Sequence, residues 1–241
     1  MSDYLIVIPA RYNSSRFPGK PLADIKGKSM IFRVWEKCLQ VAKSKNILVA
    51  TDDERIMSHC LKNSINAEMT SSECLTGTDR LFEIAKKKKH ETYINVQGDE
   101  PLISPYDIET VISSSLKKPE FTFNAMCEIK NETDFRNPNI PKVVADKNRN
   151  LLYMSRAQIP SNKKLNFVRA MKQVCIYAFP RDILLSFGAQ KEKTPLELIE
   201  DLEILRLIEL GHTVKMVEVS GSSIAVDTKE DLEKVRLLAN D

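Results

Sequence analysis

The chain has 241 residues, 42% of them apolar, which is enough to bury one sizeable core in an α/β domain. Its 36 lysines and arginines nearly balance its 33 aspartates and glutamates, and the formal charge of +3 argues against nucleic acid or a membrane surface as a partner. No apolar run reaches about 18 residues and no signal-peptide pattern opens the chain, so we expect a cytoplasmic protein.

Strands and helices alternate along the first half of the chain. A fully apolar strand over 4–8 is followed by a helix over 29–43, where apolar residues recur at helical spacing. A second buried strand is predicted over 47–51 and a third over 93–96. This repetition is typical of a doubly wound, mostly parallel, Rossmann-like α/β sheet.

Capping residues mark where two of the helices begin. Asp52 is placed to cap a helix that starts at Asp53 and runs toward Asn63. Ser104 precedes Pro105, which occupies the first position of the next helix.

The second half has a different pattern. Residues 141–157 hold two apolar runs around Asp-Lys-Asn-Arg-Asn, which predicts a hairpin, and 171–179 reads as another strand, so we expect a small antiparallel excursion here. One helix is predicted over 194–211, with a capping box formed by Thr194 and Glu197. A strand over 213–219 and a helix from Thr228 complete the chain.

No linker, internal repeat or low-complexity segment divides the sequence, so residues 1–241 are treated as one domain. The five cysteines, at 38, 60, 74, 127 and 175, form no C-x-x-C pair, which indicates buried free thiols rather than disulfides or a zinc site.

The loop after the first strand, within "IPARYNSSRFPGKPL" (8–22), concentrates groups that bind phosphate. In a parallel sheet, ligands bind beyond the carboxyl ends of the strands, where this loop must lie. It offers a glycine, hydroxyl groups and three cations, at Gly19, Ser14, Ser15, Arg11, Arg16 and Lys20. A basic surface loop stiffened by two prolines is the alternative, and the Walker pattern of ATPases is absent.

Two aspartates are candidates for a metal site at the same edge. Asp99 follows the third strand in "NVQGDEPLI", and Asp227 lies between a short apolar run and the helix cap Thr228. Turn formation at Asp99 and helix capping at Asp227 are the simpler explanations. Together, facing one cleft, two carboxylates would suit Mg²⁺ that is also bound by substrate phosphates.

Several motifs together resemble one family. "IPARYNSSRFPGKPLADIKGKSMI", "VATDDERI", "LTGTDR", "NVQGDEPLI", "LLYMSRAQIP", "TPLELIEDLEILR" and "VDTKEDLEKVR" occur in the order and spacing of the 3-deoxy-manno-octulosonate (Kdo) cytidylyltransferases, also called CMP-Kdo synthetases. The similarity covers nearly the whole chain. Sialic-acid cytidylyltransferases have a similar fold but a different opening loop.

The resemblance implies a nucleotide-diphospho-sugar transferase type of fold and a reaction. The enzyme would transfer CMP from CTP to the anomeric hydroxyl of an acidic 3-deoxy sugar and release pyrophosphate, with Mg²⁺ and as a homodimer, for lipopolysaccharide or capsule synthesis. Residues 130–180 would form the sugar-binding and dimerisation region.

The resemblance also implies roles for individual residues. Those of the triphosphate site are Arg11, Lys20 and Ser14, and those near cytosine and ribose are Pro9, Ala10, Thr78 and Arg80. The magnesium carboxylates are Asp99 and Asp227. The sugar-acid site comprises Gln97, which also adjoins the nucleotide, with Arg156, Gln173, Tyr177 and Glu203. Arg11, Lys20, Asp99 and Asp227 would carry the catalysis.

Glu203 also has support from the helix pattern. It lies four residues from both Ile199 and Leu207, so all three would share an inward helix face. A charged residue is costly to bury on such a face, which suggests a functional role.

Two positions depart from the family pattern. Gln173 stands where a histidine is common, and Ile204 where a glutamine is common. Both belong to the sugar half, so a cytidylyltransferase for a related acidic sugar, such as an 8-amino-Kdo or another ulosonate, is one interpretation. The other interpretation, given equal weight, is that Gln173 replaces histidine as a hydrogen-bond donor and that Ile204 packs beside it.

Two other classes of function stay open. A CTP-binding regulatory module would need the phosphate loop but not both aspartates. An RNA-binding protein would need basic residues interleaved with exposed aromatics, and only 7% of residues are aromatic.

Overall fold

The structure is a computed structural model that describes residues 3–13 and 16–239. Its described strands are β1 (Tyr4–Ala10), β2 (Asp24–Ile25), β3 (Lys28–Ser29), β4 (Ile47–Thr51), β5 (Ala67–Met69), β6 (Thr92–Val96), β7 (Thr122–Glu128), β8 (Lys142–Ala145), β9 (Leu151–Ser155), β10 (Met171–Pro180) and β11 (Val214–Glu218). Its described helices are α1 (Met30–Leu39), α2 (Glu54–Lys62), α3 (Gly77–Lys87), α4 (Pro105–Lys117), α5 (Glu132–Arg136), α6 (Arg181–Gly188), α7 (Pro195–Glu200), α8 (Ile204–Glu209) and α9 (Lys229–Leu238).

A mixed sheet forms the centre of the fold, in the order β11-β7-β10-β6-β1-β4-β5. The strands β6, β1, β4 and β5 run parallel, and β11 is parallel to β7. Only β10 among these seven opposes its neighbours, since it pairs antiparallel with both β6 and β7. The predicted doubly wound, mostly parallel α/β sheet is therefore confirmed.

Burial on both faces explains the apolar strands. All five residues of β4 and of β6 are buried, because helices cover both sides of a parallel sheet. In α1 the apolar stripe faces the sheet through Ile31, Val34 and Cys38, and the Ser29 Oγ accepts a hydrogen bond from the Phe32 N–H. The helix ends at Leu39, four residues before the predicted end.

The small antiparallel part of the sheet contains the hairpin that the sequence predicts. Strands β8 and β9 pair antiparallel around the turn at 146–150, and β8 joins the main sheet through β10. The Asp146 carboxylate closes the turn by accepting the N–H groups of Asn148 and Asn150, each at 2.8 Å.

Two helix predictions were wrong in detail. The cap of α2 is Asp53, whose Oδ1 accepts the Arg55 N–H at 2.9 Å, while Asp52 pairs with Arg80. The single helix predicted over 194–211 is two helices, because Asp201 adopts a left-handed conformation with φ 51° and ends α7. The carbonyls of Glu200 and Asp201 there accept hydrogen bonds from the Arg156 guanidinium.

All five cysteines are free, as predicted, but only Cys38, Cys60 and Cys127 are buried, and Cys74 and Cys175 are partly exposed. Across 3–13 and 16–239, no helix has the length and apolar character to cross a bilayer.

Candidate active site

Two adjoining cavities open at the carboxyl edge of the parallel strands. The first has a volume of about 200 Å³ and lies between the ends of β1 and β6 and the start of α3. The second has a volume of about 340 Å³ and extends to β10 and the break between α7 and α8. The residues that border both cavities include Arg11, Arg16, Thr76, Gln97, Asp99 and Asp227.

The two predicted metal carboxylates face each other across one ammonium group. Lys20 Nζ lies 2.7 Å from Asp99 Oδ2 and 3.4 Å from Asp227 Oδ1. Arg16 Nη2 also lies 3.1 Å from Asp227 Oδ1. A backbone hydrogen bond of 2.9 Å, from the Val226 N–H to the Asp99 carbonyl, holds the two segments together. The structure thus brings together Asp99 and Asp227, which lie far apart in the chain.

This carboxylate pair fits a divalent cation that is completed by substrate oxygens. The pair already shares one positive charge, and carboxylates are ligands that Mg²⁺ prefers. Within the described ranges no group of three or more His, Cys, Asp or Glu is placed to hold a metal. The remaining ligands would therefore have to come from phosphate or sugar oxygens and water.

Close backbone contact fixes where Asp99 emerges. A Cβ on Gly98 would lie 2.7 Å from the Pro9 carbonyl oxygen, so only glycine lets the β6 loop pass this close to the end of β1. The predicted nucleotide residues Pro9 and Ala10 border the first cavity at this point.

The phosphate-loop residues have different placements. Arg11 is exposed and borders both cavities, and Lys20 begins a short 3₁₀ helix after Gly19, which has φ 73°. Tyr12 braces the loop, because its carbonyl accepts the Gly19 N–H and its ring lies 3.2 Å from the Arg55 guanidinium carbon. Ser14 lies outside the described residues.

Arg80 and Thr78 are both anchored in the fold. Arg80 borders the first cavity with its guanidinium held by Asp52 at 2.6 Å and by Thr70 at 2.8 Å. Thr78 is fully buried and is not part of either cavity wall. Its N–H donates to Glu203 Oε2 at 3.2 Å, so Thr78 connects to the sugar-acid residues rather than facing a ligand itself.

All five predicted sugar-acid residues border the second cavity: Gln97, Arg156, Gln173, Tyr177 and Glu203. The Arg156 guanidinium is engaged by main-chain carbonyls, at 2.6 Å from Glu200 O and 3.1 Å from Pro138 O. Burial raises the pKa of the Glu203 carboxyl and raises that of Tyr177 well above its usual range.

The helix argument for Glu203 was wrong, although the residue lies in the cavity wall. Ile199 is 78% exposed and Glu203 lies between α7 and α8, so no common inward helix face exists. Ile204, the second departure from the family pattern, is 1% exposed in the core and does not border the cavity.

A buried charge network that sequence reasoning missed supports both cavities. Arg206 is fully buried, with its guanidinium 2.7 Å from each Glu197 carboxylate oxygen and 2.8 Å from Asp79 Oδ1. It also lies over the Phe187 ring. The other Asp79 oxygen accepts the N–H and the hydroxyl of Thr76, which borders both cavities. The three charged groups, Asp79, Glu197 and Arg206, span 127 positions of the chain, and no local pattern links all three.

Glu100 was also missed. This side chain is 5% exposed in the wall of the second cavity, near Cys175 and Ser223. Burial, followed by the neighbouring Asp99 charge, raises the pKa of Glu100 to about 7. Its place directly after Asp99 is the only signal in the sequence.

Comparison with known proteins gives consistent matches. Residues 5–217 match the model of a cytidylyltransferase family. The 3-deoxy-manno-octulosonate cytidylyltransferase of Escherichia coli is 42% identical over 99% of this chain and 96% of that protein, and the enzyme of that name from Fusobacterium nucleatum subsp. nucleatum is 39% identical over 96% and 95%. A solved structure of CMP:2-keto-3-deoxy-manno-octonic acid synthetase complexed with CTP superposes with a TM-score of 0.91, at 40% identity over 98% of both chains.

A more distant structure shares the fold alone. The 4-diphosphocytidyl-2C-methyl-D-erythritol synthase of Anaerococcus prevotii superposes with a TM-score of 0.64, at 16% identity over 97% of this chain and 95% of that one. Fold and site together define a nucleotidyltransferase. The chain belongs to the cytidylyltransferase family and, within it, to the 3-deoxy-manno-octulosonate cytidylyltransferases.

Proposed function

We propose that this chain transfers CMP from CTP to the anomeric hydroxyl of 3-deoxy-manno-octulosonate, for lipopolysaccharide or capsule synthesis. One observation supports it most: two adjoining cavities share the aspartate pair and Arg16 at the carboxyl edge of the sheet. One cavity would hold the nucleotide and the other the sugar acid, so that the two reactants meet at Asp99 and Asp227.

The reaction is an in-line displacement at the α-phosphorus of CTP. The sugar hydroxyl oxygen forms the new bond to phosphorus, and the bond to the departing pyrophosphate breaks. Mg²⁺ held by Asp99 and Asp227 would bring the reactants together and lower the pKa of the attacking hydroxyl. None of the three histidines borders either cavity, so no histidine is placed to act as a base.

The basic groups at this edge are suited to the leaving group. Arg11 and Lys20 border the first cavity and would neutralise the negative charge that builds on pyrophosphate. Arg80, with Pro9 and Ala10 beside the cavity, would contribute to holding cytidine. The sugar carboxylate would meet Arg156, which borders the second cavity.

A second acceptor sugar remains a candidate because Gln173 borders the sugar cavity in place of the common histidine. The alternative acceptor is an 8-amino-Kdo or another ulosonate. The alternative function without catalysis is a regulatory module that binds CTP.

We also propose that the protein is a homodimer through its second half. Five large apolar side chains in or beside residues 130–180 are exposed, at Leu152, Leu165, Val168, Leu198 and Ile199. Sedimentation of the wild type and of Ile199→Glu tests this, with a dimer expected only for the wild type. Sedimentation of the wild type as a monomer at micromolar concentration contradicts the proposal.

Pyrophosphate release from CTP with a panel of ulosonic acids tests the proposed function. We expect release with Kdo, poor use of UTP because it differs at the exocyclic group, and none with ATP or GTP. CTP binding without pyrophosphate release would instead support a regulatory module. Equal rates with all four nucleotides would contradict the pyrimidine site.

A further inference from the structure

Strand β10 carries a bulge beside the second cavity. Val174 pairs with Ala125 and Tyr177 with Asn124, so two residues of β10 have no partner on β7. The fully buried Asn124 fills this gap, since its Nδ2 donates to the carbonyls of Val174 and Ile176, each at 3.0 Å. Bulges of this kind redirect side chains near functional sites.

The bulge fixes which way the Asn124 amide faces. Both groups that it meets are carbonyl oxygens, which can only accept, so the NH₂ end must point at them. Asn124 Oδ1 therefore points away from the bulge, toward Gln173, and needs a donor there.

Gln173 supplies that donor and is itself fixed. Its Nε2 donates to Asn124 Oδ1 at 3.1 Å and to Tyr177 Oη at 2.9 Å, which uses both N–H groups. Rotating the Gln173 amide by 180° would place its oxygen against Asn124 Oδ1 and leave Asn124 Oδ1 without a donor. The Gln173 Oε1 receives no hydrogen bond from residues 3–13 or 16–239, and the side chain borders the second cavity.

Other polar groups line the same wall. Glu100 and Glu203 border the cavity, and both carboxyl groups act on Tyr177. Of the cations that border it, Arg156 is held by carbonyls, Lys193 by Asp201 at 2.5 Å and Arg16 by Asp227 at 3.1 Å, and Arg11 is exposed. The Gln173 Oε1 is therefore left to accept a hydrogen bond from a ligand that donates.

We propose that Gln173, oriented by Asn124, determines specificity by presenting a fixed carbonyl oxygen that selects a sugar with a hydrogen-bond donor, a hydroxyl or an ammonium, at the carbon facing it. Asn124 acts as a positioning residue through Gln173. The inference rests on the proposed function and adds what the sugar must offer at this wall.

Gln173→Met tests the proposal, because methionine keeps the length and removes the acceptor. Kinetics of wild type and variant would be measured with CTP and Kdo, its 8-amino analogue and analogues that each lack one hydroxyl. For the wild type, one deoxy analogue should lose about ten- to a hundredfold in kcat/KM. In Gln173→Met that same analogue and Kdo should be nearly equivalent, with the KM for CTP unchanged. Gln190→Met, at an exposed glutamine outside both cavities, is the matched control.

The other outcomes separate the two claims. In one outcome the wild type uses Kdo, while every deoxy analogue shows the same drop in kcat/KM in Gln173→Met as in the wild type. In that case the proposed function stands and the role of Gln173 is wrong. If the wild type releases no pyrophosphate with any ulosonate, both fail. If the wild type prefers the 8-amino analogue and Gln173→Met loses that preference, the donor on the sugar is an ammonium. If the wild type uses Kdo and the 8-amino analogue equally and a deoxy analogue at another carbon is used poorly, the donor is a hydroxyl. Gln173→His offers one ring nitrogen that can donate to Asn124 Oδ1 and another that can accept, so it should retain part of the deoxy discrimination. Its retention separates loss of the acceptor from general damage to the wall.

Discussion

The two cavities at the carboxyl edge of the sheet are built in different ways. The first takes its walls from segments that directly follow β1 and β6, and the strand ends place them. The second is closed by β10 and by the break between α7 and α8, which side-chain hydrogen bonds to carbonyls hold in place. The fold itself thus fixes the proposed nucleotide side, whereas the proposed sugar side depends on individual side chains that can change without altering the sheet.

The largest effect should come from the aspartate pair that both cavities share. Asp99→Asn or Asp227→Asn should lower turnover by about 4 kcal/mol of transition-state stabilisation, roughly a thousandfold, because a metal ligand is lost. Pyrophosphate release at saturating magnesium measures it, and an unchanged melting temperature shows that the fold is intact. Asp182→Asn, at an exposed site outside both cavities, should behave as wild type. Near-normal rates for both variants would show that the metal assignment is wrong.

The buried network joins the two sides, so breaking it should affect the whole molecule. Arg206→Met leaves the Glu197 and Asp79 carboxylates without their cation, and we expect a loss of about 3 to 5 kcal/mol in the free energy of unfolding. Urea denaturation measures this. Lys130→Met removes an exposed ion pair with Glu128 and should leave the free energy of unfolding nearly unchanged. Similar values for the two variants would mean that the network contributes little to stability.

A pH effect should come from Glu100 on the sugar side. Its pKa of about 7 when folded exceeds the usual glutamate pKa of 4.5, so the unfolded chain loses this proton first and stability falls as pH rises from about 4.5 through 7. Glu100→Gln should remove that loss, which raises the free energy of unfolding by up to about 3 kcal/mol at pH 8 and changes little at pH 4.

Urea denaturation at several pH values, without divalent cations, measures the Glu100 effect. A difference between Glu100→Gln and wild type that stays constant from pH 4 to pH 8 would show that the carboxyl titrates normally.

The smallest effect concerns the phosphate loop on the nucleotide side. Lys20→Ala should lower kcat as well as raise the KM for CTP, because its contact strengthens as pyrophosphate leaves, by about 1.5 to 3 kcal/mol. Lys28 is the matched control, since it pairs with Glu36 at 2.7 Å and borders neither cavity. If the two alanine variants behave alike in both parameters, the loop is not a phosphate site.

Sequence reasoning was most successful for site residues that come directly after a strand, because the sequence also predicts the strand. Buried apolar runs and capping residues predicted the parallel sheet, and motif order predicted which residues border the cavities. The break at Asp201 could not be predicted, because the Arg156 guanidinium that engages the nearby carbonyls lies more than 40 positions earlier in the chain. Arg206 was missed for the same reason, since its partner Asp79 is separated from it by 127 positions.

Lys20 occupies the space between Asp99 and Asp227 and belongs to the loop proposed to hold phosphate. A divalent cation that enters between the two carboxylates must compete with this ammonium for their oxygens. We expect the phosphates of CTP to draw Lys20 away from the carboxylates and so to free them for the metal. Metal affinity should accordingly be weak for the protein alone and rise when CTP is present, so that the two ligands enter cooperatively.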